Sequence, residues 1–187
     1  MDEPLIPPHG GYQGLRAFQM SVVVHDATVV FCKKYLDPKS RTNDQMVQAA
    51  RSGKQNIVEG SMASGTSKKI ELKLVGIARA SLEELLTDYT DFLRQNNLPL
   101  WPKDHEKAVF IRKLCYRENM SYMTYKTYIE EKGPENAANT MVCMVNQTNF
   151  LLDKLLRQLE TAFVEEGGFT ERLYRVRWAT RETGTKN

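Results

Sequence analysis

Three histidines (His9, His25, His105) and three cysteines (Cys32, Cys115, Cys143) are the residues of this chain best suited to hold a metal or attack a substrate. Their spacing assembles neither chemistry. There is no His-Glu-x-x-His run, no Cys-x-x-Cys pair and no carboxylate at metal-ligand spacing. His25 falls on an apolar helical stripe, where it reads as a hydrogen-bonded residue of a core or lumen. The cysteines sit among apolar neighbours and read as core. The sequence therefore predicts no catalytic residue, no metal and no cofactor. What remains is phosphate chemistry. The turn Ser64-Gly-Thr-Ser-Lys-Lys69 opens a helix with free N–H groups and two lysines, which is either an anion site or a capped turn with solvated lysines. It lacks the Gly-x-x-x-x-Gly-Lys spacing of a P-loop.

Charge points the same way. Between Lys33 and Arg79 ten basic residues (Lys33, Lys34, Lys39, Arg41, Arg51, Lys54, Lys68, Lys69, Lys73 and Arg79) face four acids (Asp37, Asp44, Glu59 and Glu71). From Gly168 on, Arg172, Arg175, Arg177, Arg181 and Lys186 face only Glu171 and Glu182. The whole chain carries +3, so the rest is acidic. Such asymmetry suits a polyanion partner, self-association through complementary faces, or a solvated mixed surface. The candidate nucleic-acid contacts are Arg51, Lys54, Lys68, Lys69, Lys73, Arg79, Arg172, Arg175 and Arg177. Four of the eight tyrosines, Tyr116, Tyr122, Tyr125 and Tyr128, cluster in one segment, as stacking surfaces for bases or as packing.

The elements that must position these residues are helical. Leu15, Phe18, Val22, His25, Val29, Cys32 and Leu36 form one stripe, ended by Asp37-Pro38. A second helix starts near Thr42, with Gln45 placed for a capping box, and its inner stripe is Met46, Ala50, Gly53, Ile57 and Gly60. Glycine inside a helix costs about 1 kcal/mol against alanine, which close approach by a neighbour would justify. The third helix, capped by Ser64 or Thr66, runs to about Gln95. Its apolar arc (Ile70, Leu74, Ile77, Ala78, Leu82, Leu85, Tyr89, Phe92 and Leu93) is widened by Leu72, Val75 and Leu86, so burial on two sides and a subunit interface are expected. Residues 103–132 read as helix, Gly133-Pro134 as a break. The last long helix carries Ala138, Met141, Val145, Thr148, Leu152, Leu155, Leu159 and Phe163 and ends at Gly167-Gly168.

No period-two strand pattern, internal repeat or low-complexity tract occurs. The expected fold is all-α: an antiparallel four-helix bundle over 12–167, with a helical insert at about 97–135 between its third and fourth helices. A flexible N-terminus covers 1–11 and a short basic C-terminal tail 168–187. At 187 residues and 41% hydrophobic, one domain can bury a core without disulfides. No apolar run approaches the ~18 residues of a membrane span. The acidic, Pro/Gly-rich start lacks a secretory pattern, and the odd, scattered cysteines fit a reducing, cytoplasmic setting.

Two runs carry a family resemblance: Gln48-Ala-Ala-Arg-Ser-Gly-Lys-Gln-Asn-Ile-Val-Glu-Gly60, and Ser67 to Leu85 with its Ile-Ala-Arg-Ala-Ser-Leu-Glu-Glu-Leu end. Together they resemble the 23S rRNA intervening-sequence family, whose signature couples Ala-Ala-x-Ser-x-x-x-Asn-Ile-x-Glu-Gly to Ile-Ala-x-x-Ser-Leu-x-Glu-Leu. Ser52, Asn56, Ile57, Glu59 and Gly60 match the first, and Ile77, Ala78, Ser81, Leu82, Glu84 and Leu85 the second. The likeness covers roughly residues 12–95 and, by position, the last helix; the insert departs from it. The ending Phe163-x-x-Glu-Gly-Gly-Phe-Thr-Glu-Arg-Leu-Tyr resembles the suffix extension of some such bundles. The resemblance implies a ring-shaped homopentamer. It also implies kinship with the accessory variability proteins of diversity-generating retroelements, which bind nucleic acid and a reverse transcriptase.

Physically the matched positions read as structural. Ser52, Asn56 and Ser81, buried together, must bond one another or backbone, fixing helix register. Glu59, before a tight turn, can accept N–H groups at the next helix's start. A single matched carboxylate gives no acid–base pair. Glu84 completes the motif. The sequence thus points to a non-enzymatic, homo-oligomeric helical bundle binding RNA, DNA or a nucleoprotein partner, without a membrane. The alternative is a protein-interaction scaffold whose basic stretch pairs with acidic residues 83–91 of a neighbour.

Overall fold

The computed structural model describes residues 6–184; residues 1–5 of the expected flexible N-terminus and 185–187 of the tail lie outside the described residues. A 3-10 turn, Gly11–Gly14, precedes α1 (Arg16–Tyr35), α2 (Arg41–Ala63), α3 (Lys68–Gln95), α4 (Glu106–Leu114), α5 (Tyr122–Glu130), α6 (Gly133–Glu166) and α7 (Phe169–Gly184). No strand occurs among the described residues. Side-chain chemistry at the starts explains several boundaries. Ser40 Oγ accepts the Thr42 N–H at α2, Ser67 Oγ accepts the Ile70 N–H at α3, and Ser121 and Thr124 form a reciprocal capping box at α5. The cap of α3 is thus Ser67 rather than Ser64 or Thr66. Ser64 instead donates to the Ser61 carbonyl at the end of α2.

The long helices alternate in direction. Ser52 on α2 meets Ser81 on α3, and Gly60 lies against Leu74 and Val75, so these two run antiparallel. Arg79 on α3 reaches Asp153 on α6, and Glu83 reaches Asn149, so α6 opposes α3 as well. Tyr89 meets Thr28 and Phe92 stacks edge-on to Phe31, which sets α1 parallel to α3. The core between them holds Met20, Phe31, Met46, Ile57, Leu82, Leu85, Tyr89 and Met141, all fully buried.

Helices α2 and α3 pack closely at Gly53. A Cβ on Gly53 would sit 2.7 Å from Leu82 Cγ and Cδ2, so Leu82 fills the space a side chain would need. The bare backbone at this position offsets its helix-propensity cost through packing.

The segment between α3 and α6 departs from the single helical stretch expected over 103–132. It breaks at 115–121 into α4 and α5. Both are pinned by side chains of the longer helices. The Arg16 guanidinium donates to the Cys115 and Arg117 carbonyls, Tyr35 Oη donates to the Ile129 carbonyl (2.8 Å), and Gln147 Nε2 donates to the Arg112 carbonyl (2.7 Å). Asn139, 1% exposed, accepts from the Trp101 N–H and donates to the Pro99 carbonyl. Covered by α4 and α5 on one side and by α1 and α3 on the other, α6 is buried almost all round from Ala137 to Val145.

Two apolar assignments differ from the sequence reading. In α1 the fully buried apolar residues are Met20, Val24, Ala27, Phe31 and, from the expected stripe, Cys32, whereas Phe18, Val22, His25 and Val29 flank them at intermediate exposure. This helix is apolar on most of its circumference and packs against α2, α5 and α6, so periodicity alone does not choose the stripe. In α3, Val75 is buried within the single chain and Leu72 and Leu86 are half-buried, while Ile70 and Ile77 stay 48% and 40% exposed. The surplus apolar surface of α3 is therefore Ile70 and Ile77.

Gly53→Leu should destabilise the fold by about 1–3 kcal/mol, because Leu82 is fully buried and has nowhere to retreat. Urea unfolding checks this. Combined with Leu82→Ala, the loss should be smaller than the sum of the two single losses, the mark of residues in direct contact.

Candidate nucleic-acid interface

The basic residues of the 33–79 stretch do not share one patch, because α2 intervenes. Lys33, Lys34, Lys39 and Arg41 gather at the α1–α2 turn, and Lys68, Lys69 and Lys73 at the start of α3. The 23 residues of α2 set these ends apart by about 34 Å. Arg51 and Lys54 lie midway along α2.

Several of these charges are already engaged. Arg79 donates to Asp153 (Nε to Oδ1, 3.1 Å) and to Glu83 (2.5 Å), tying α3 to α6. Lys68 pairs with Glu71 at 3.3 Å. Glu71 is 9% exposed, and burial raises its carboxyl above the usual range despite that lysine. Arg51, Lys69 and Lys73 are exposed, Lys54 half-exposed, and none makes an ion pair among the described residues.

The C-terminal segment is helical, where the sequence suggested only a short tail. Gly167, at φ +75°, ends α6, and Glu171 Oε2 accepts the Gly168 N–H to begin α7. Periodicity then sets Thr170, Leu173, Tyr174, Arg177, Trp178 and Arg181 along one groove of about 370 Å³. Tyr174 and Trp178 are 71% and 56% exposed. Arg172 is half-buried, Arg175 donates to the Glu166 carbonyl at 3.2 Å, and Arg177 is exposed. The composition of this tail was visible in the sequence. Its helical form rests on one glutamate cap that a Gly-Gly pair obscures.

Position joins two of these groups. Asp153 stands level with Arg79, and from there α6 runs 13 residues, about 20 Å, toward the start of α3. Arg79 itself lies 11 residues, about 16 Å, from that start. Helix α7 therefore begins at the end of the molecule that carries Lys68, Lys69 and Lys73.

The motif residues are brought together in part. Ser52 and Ser81 share a hydroxyl hydrogen bond of 3.0 Å, and Asn56 Nδ2 donates to the Ser52 carbonyl (2.9 Å) and Oγ (3.1 Å). A Cβ on Gly60 would lie 3.3 Å from the Glu71 carbonyl, so the helices close tightly there as well. Glu59 and Glu84 are exposed, and Glu59 does not cap α3, since Ser67 holds that place.

The other groups considered for chemistry are quiet. All three cysteines are free and buried; burial pushes the Cys32 thiol up to about 12 and Cys143 to about 11, and raises Cys115. Thiols held protonated at neutral pH are poor nucleophiles. Among the described residues no group of three or more His, Cys, Asp or Glu can hold a metal ion. No described helix is long and apolar enough to cross a membrane. Comparison with known proteins finds no matching family model, no matching curated protein and no matching solved structure.

His25 sits at the α1–α2 face, its Nδ1 3.5 Å from Asp26 Oδ1 and without a hydrogen bond among the described residues. Burial, then the charge of Lys54, lowers its pKa below 6.5, against the pull of Asp26. The unfolded chain therefore takes up this proton at a higher pH than the folded one, and stability falls as pH drops below about 6.5. Denaturation midpoints measured between pH 8 and 5.5 should decline, and His25→Gln should flatten that decline.

Proposed function

We propose that the chain is a non-enzymatic, homo-oligomeric helical protein that binds nucleic acid, RNA or DNA, alone or within a nucleoprotein such as a reverse transcriptase complex. In this reading α1, α2, α3 and α6 form an antiparallel four-helix bundle of the 23S rRNA intervening-sequence kind. Residues 97–135 are its insert, and α7 is its suffix. The single observation that supports nucleic-acid binding is the gathering at one end of the molecule. Lys68, Lys69 and Lys73 open α3 where α7 begins, and α7 presents Tyr174 and Trp178 between Arg177 and its neighbouring arginines. Arginine and lysine neutralise phosphates, and exposed aromatic rings stack on bases without sequence preference. Arg79, engaged with two carboxylates, drops out of the phosphate set.

The scaffold alternative draws on a different observation. Ile70 and Ile77, two turns apart on α3, are 48% and 40% exposed. An apolar surface of this kind suits contact with another copy, and a homopentamer is the assembly the sequence resemblance implies. Oligomer formation belongs to both readings; affinity for a polyanion belongs only to the first.

Changing Lys68, Lys69 and Lys73 to glutamine, and separately Arg172, Arg175 and Arg177, should weaken binding of both RNA and DNA. Each lost phosphate contact should lower the log–log salt slope by roughly 0.7–0.9. Stability should change little at the exposed Lys69, Lys73, Arg175 and Arg177, since such charges contribute well under about 1 kcal/mol each. Lys68, paired with the buried Glu71, and the half-buried Arg172 should account for most of any loss. Polyanion binding at two salt concentrations, with light scattering of each variant, checks this. An intact oligomer with no affinity for either polymer at low salt would leave the scaffold reading standing. A monomer at micromolar concentration would remove assembly from both.

A further inference from the structure

A second concave surface lies far from α7, in the insert that the family resemblance does not cover. It is a cleft of about 480 Å³ between α4, α5 and the start of α6, lined by Trp101, Phe110, Tyr128, Lys107, Lys132 and Asn136, with Glu106 and Ile111. That volume is in the range of small-ligand sites. Its walls are aromatic and preformed. Trp101 is held by a hydrogen bond from Nε1 to Glu135 (2.9 Å) and by a parallel stack on His105 at 5.1 Å. Phe110 and Tyr128 approach to 5.8 Å between ring centres, yet Phe110 remains 45% exposed. A large apolar ring left open beside two fixed aromatics invites a planar partner.

The charges select among planar partners. Lys107 stands 5.2 Å over the Trp101 ring, so an ammonium is held at the aromatic wall, and Lys132 lines the cleft at the foot of α6. Among the lining residues two cations oppose one carboxylate, Glu106, and the neighbouring Glu135 is turned to the Trp101 Nε1–H, so an anionic ligand is favoured over a cationic one. Asn136 Nδ2 donates to the Lys132 carbonyl (3.0 Å), and its Oδ1 has no hydrogen bond among the described residues, leaving an acceptor for a ring-edge N–H. We propose that this cleft binds a nucleotide unit, with the base against Phe110 and Tyr128 and the phosphate between Lys107 and Lys132. Aromatic stacking and a phosphate-binding cation are the usual pair in sequence-tolerant nucleotide recognition. The unit comes either as a free mononucleotide or as one residue of a single strand. The site is independent of the binding assigned to α7, so either can fail alone.

Calorimetric titration of the full chain with AMP, adenosine and inorganic phosphate tests it, repeated in Phe110→Ala, Phe110→Tyr and the Lys107→Gln/Lys132→Gln pair. The expected result is saturable AMP binding, at least tenfold tighter than either adenosine or phosphate. Phe110→Ala and the lysine pair should each weaken it at least tenfold, and Phe110→Tyr should preserve it. A circular dichroism melt confirms that each variant is folded, as exposed positions predict. Tryptophan fluorescence in a Trp178→Phe background, where Trp101 alone reports, should change with the same midpoint. A pentaadenylate bound more tightly than AMP, and equally sensitive to Phe110→Ala, identifies the single strand as the source; equal affinity identifies the free nucleotide. No saturable binding at millimolar AMP would overturn the proposal. So would adenosine binding as tightly as AMP, or full affinity in Phe110→Ala.

Discussion

The contact between Gly53 and Leu82 sets the geometry on which the other long-helix contacts depend. With only a hydrogen at Gly53, the Leu82 side chain seats directly on the α2 backbone. That closeness brings Ser52 within hydrogen-bond reach of Ser81 one position away on each helix, and it lets Gly60 meet the Glu71 carbonyl two turns later. The Ser52–Ser81 bond then fixes register, because a slip along α3 would break the one hydroxyl link of the cluster that crosses between the helices and leave Ser81 without its partner, while Asn56 stays bonded within α2. Packing supplies the attraction and the hydrogen bonds supply its direction.

Around this pair the remaining helices solve a coverage problem. The first half of α6 is apolar on most faces and must be enclosed, which α1 and α3 do only on one side. The insert closes the other side, and it is held by main-chain carbonyls captured from a distance: Arg16 takes Cys115 and Arg117, Gln147 takes Arg112, Tyr35 takes Ile129. These donors serve carbonyls at the frayed ends of short helices, which have no partner within their own segment.

The helical class, the break at Gly133-Pro134 where α6 begins and the small-residue stripe of α2 were legible because each has a local cause, a proline or a glycine at helical spacing. The start of α2 was read two residues late, as a Thr42–Gln45 box, where Ser40 is the cap. The face that α1 turns inward was not, since an apolar run such as Val22-Val23-Val24 satisfies several stripes at once and only its neighbours decide. The break between α4 and α5 also escaped, as residues 115–121 hold neither the glycine nor the proline that would mark it. For the candidate site, the sequence offered charge without distance. It grouped Lys39 with Lys68, which a helix holds apart, and it separated Lys68 from Arg177, which the length of α6 brings to one end. It also counted Arg79 as a phosphate contact, with no means of showing that Asp153, 74 residues later, would claim it.

The uninterrupted run of α6 makes the molecule a ruler. Asn136 near its start borders the cleft of the insert, and Glu166 at its end adjoins α7, so about 45 Å of rigid rod separates the two surfaces. A single ligand that touches both surfaces must therefore reach about 45 Å along that axis. Anything shorter meets one surface or the other, and that minimum reach is written into the number of residues in a single helix.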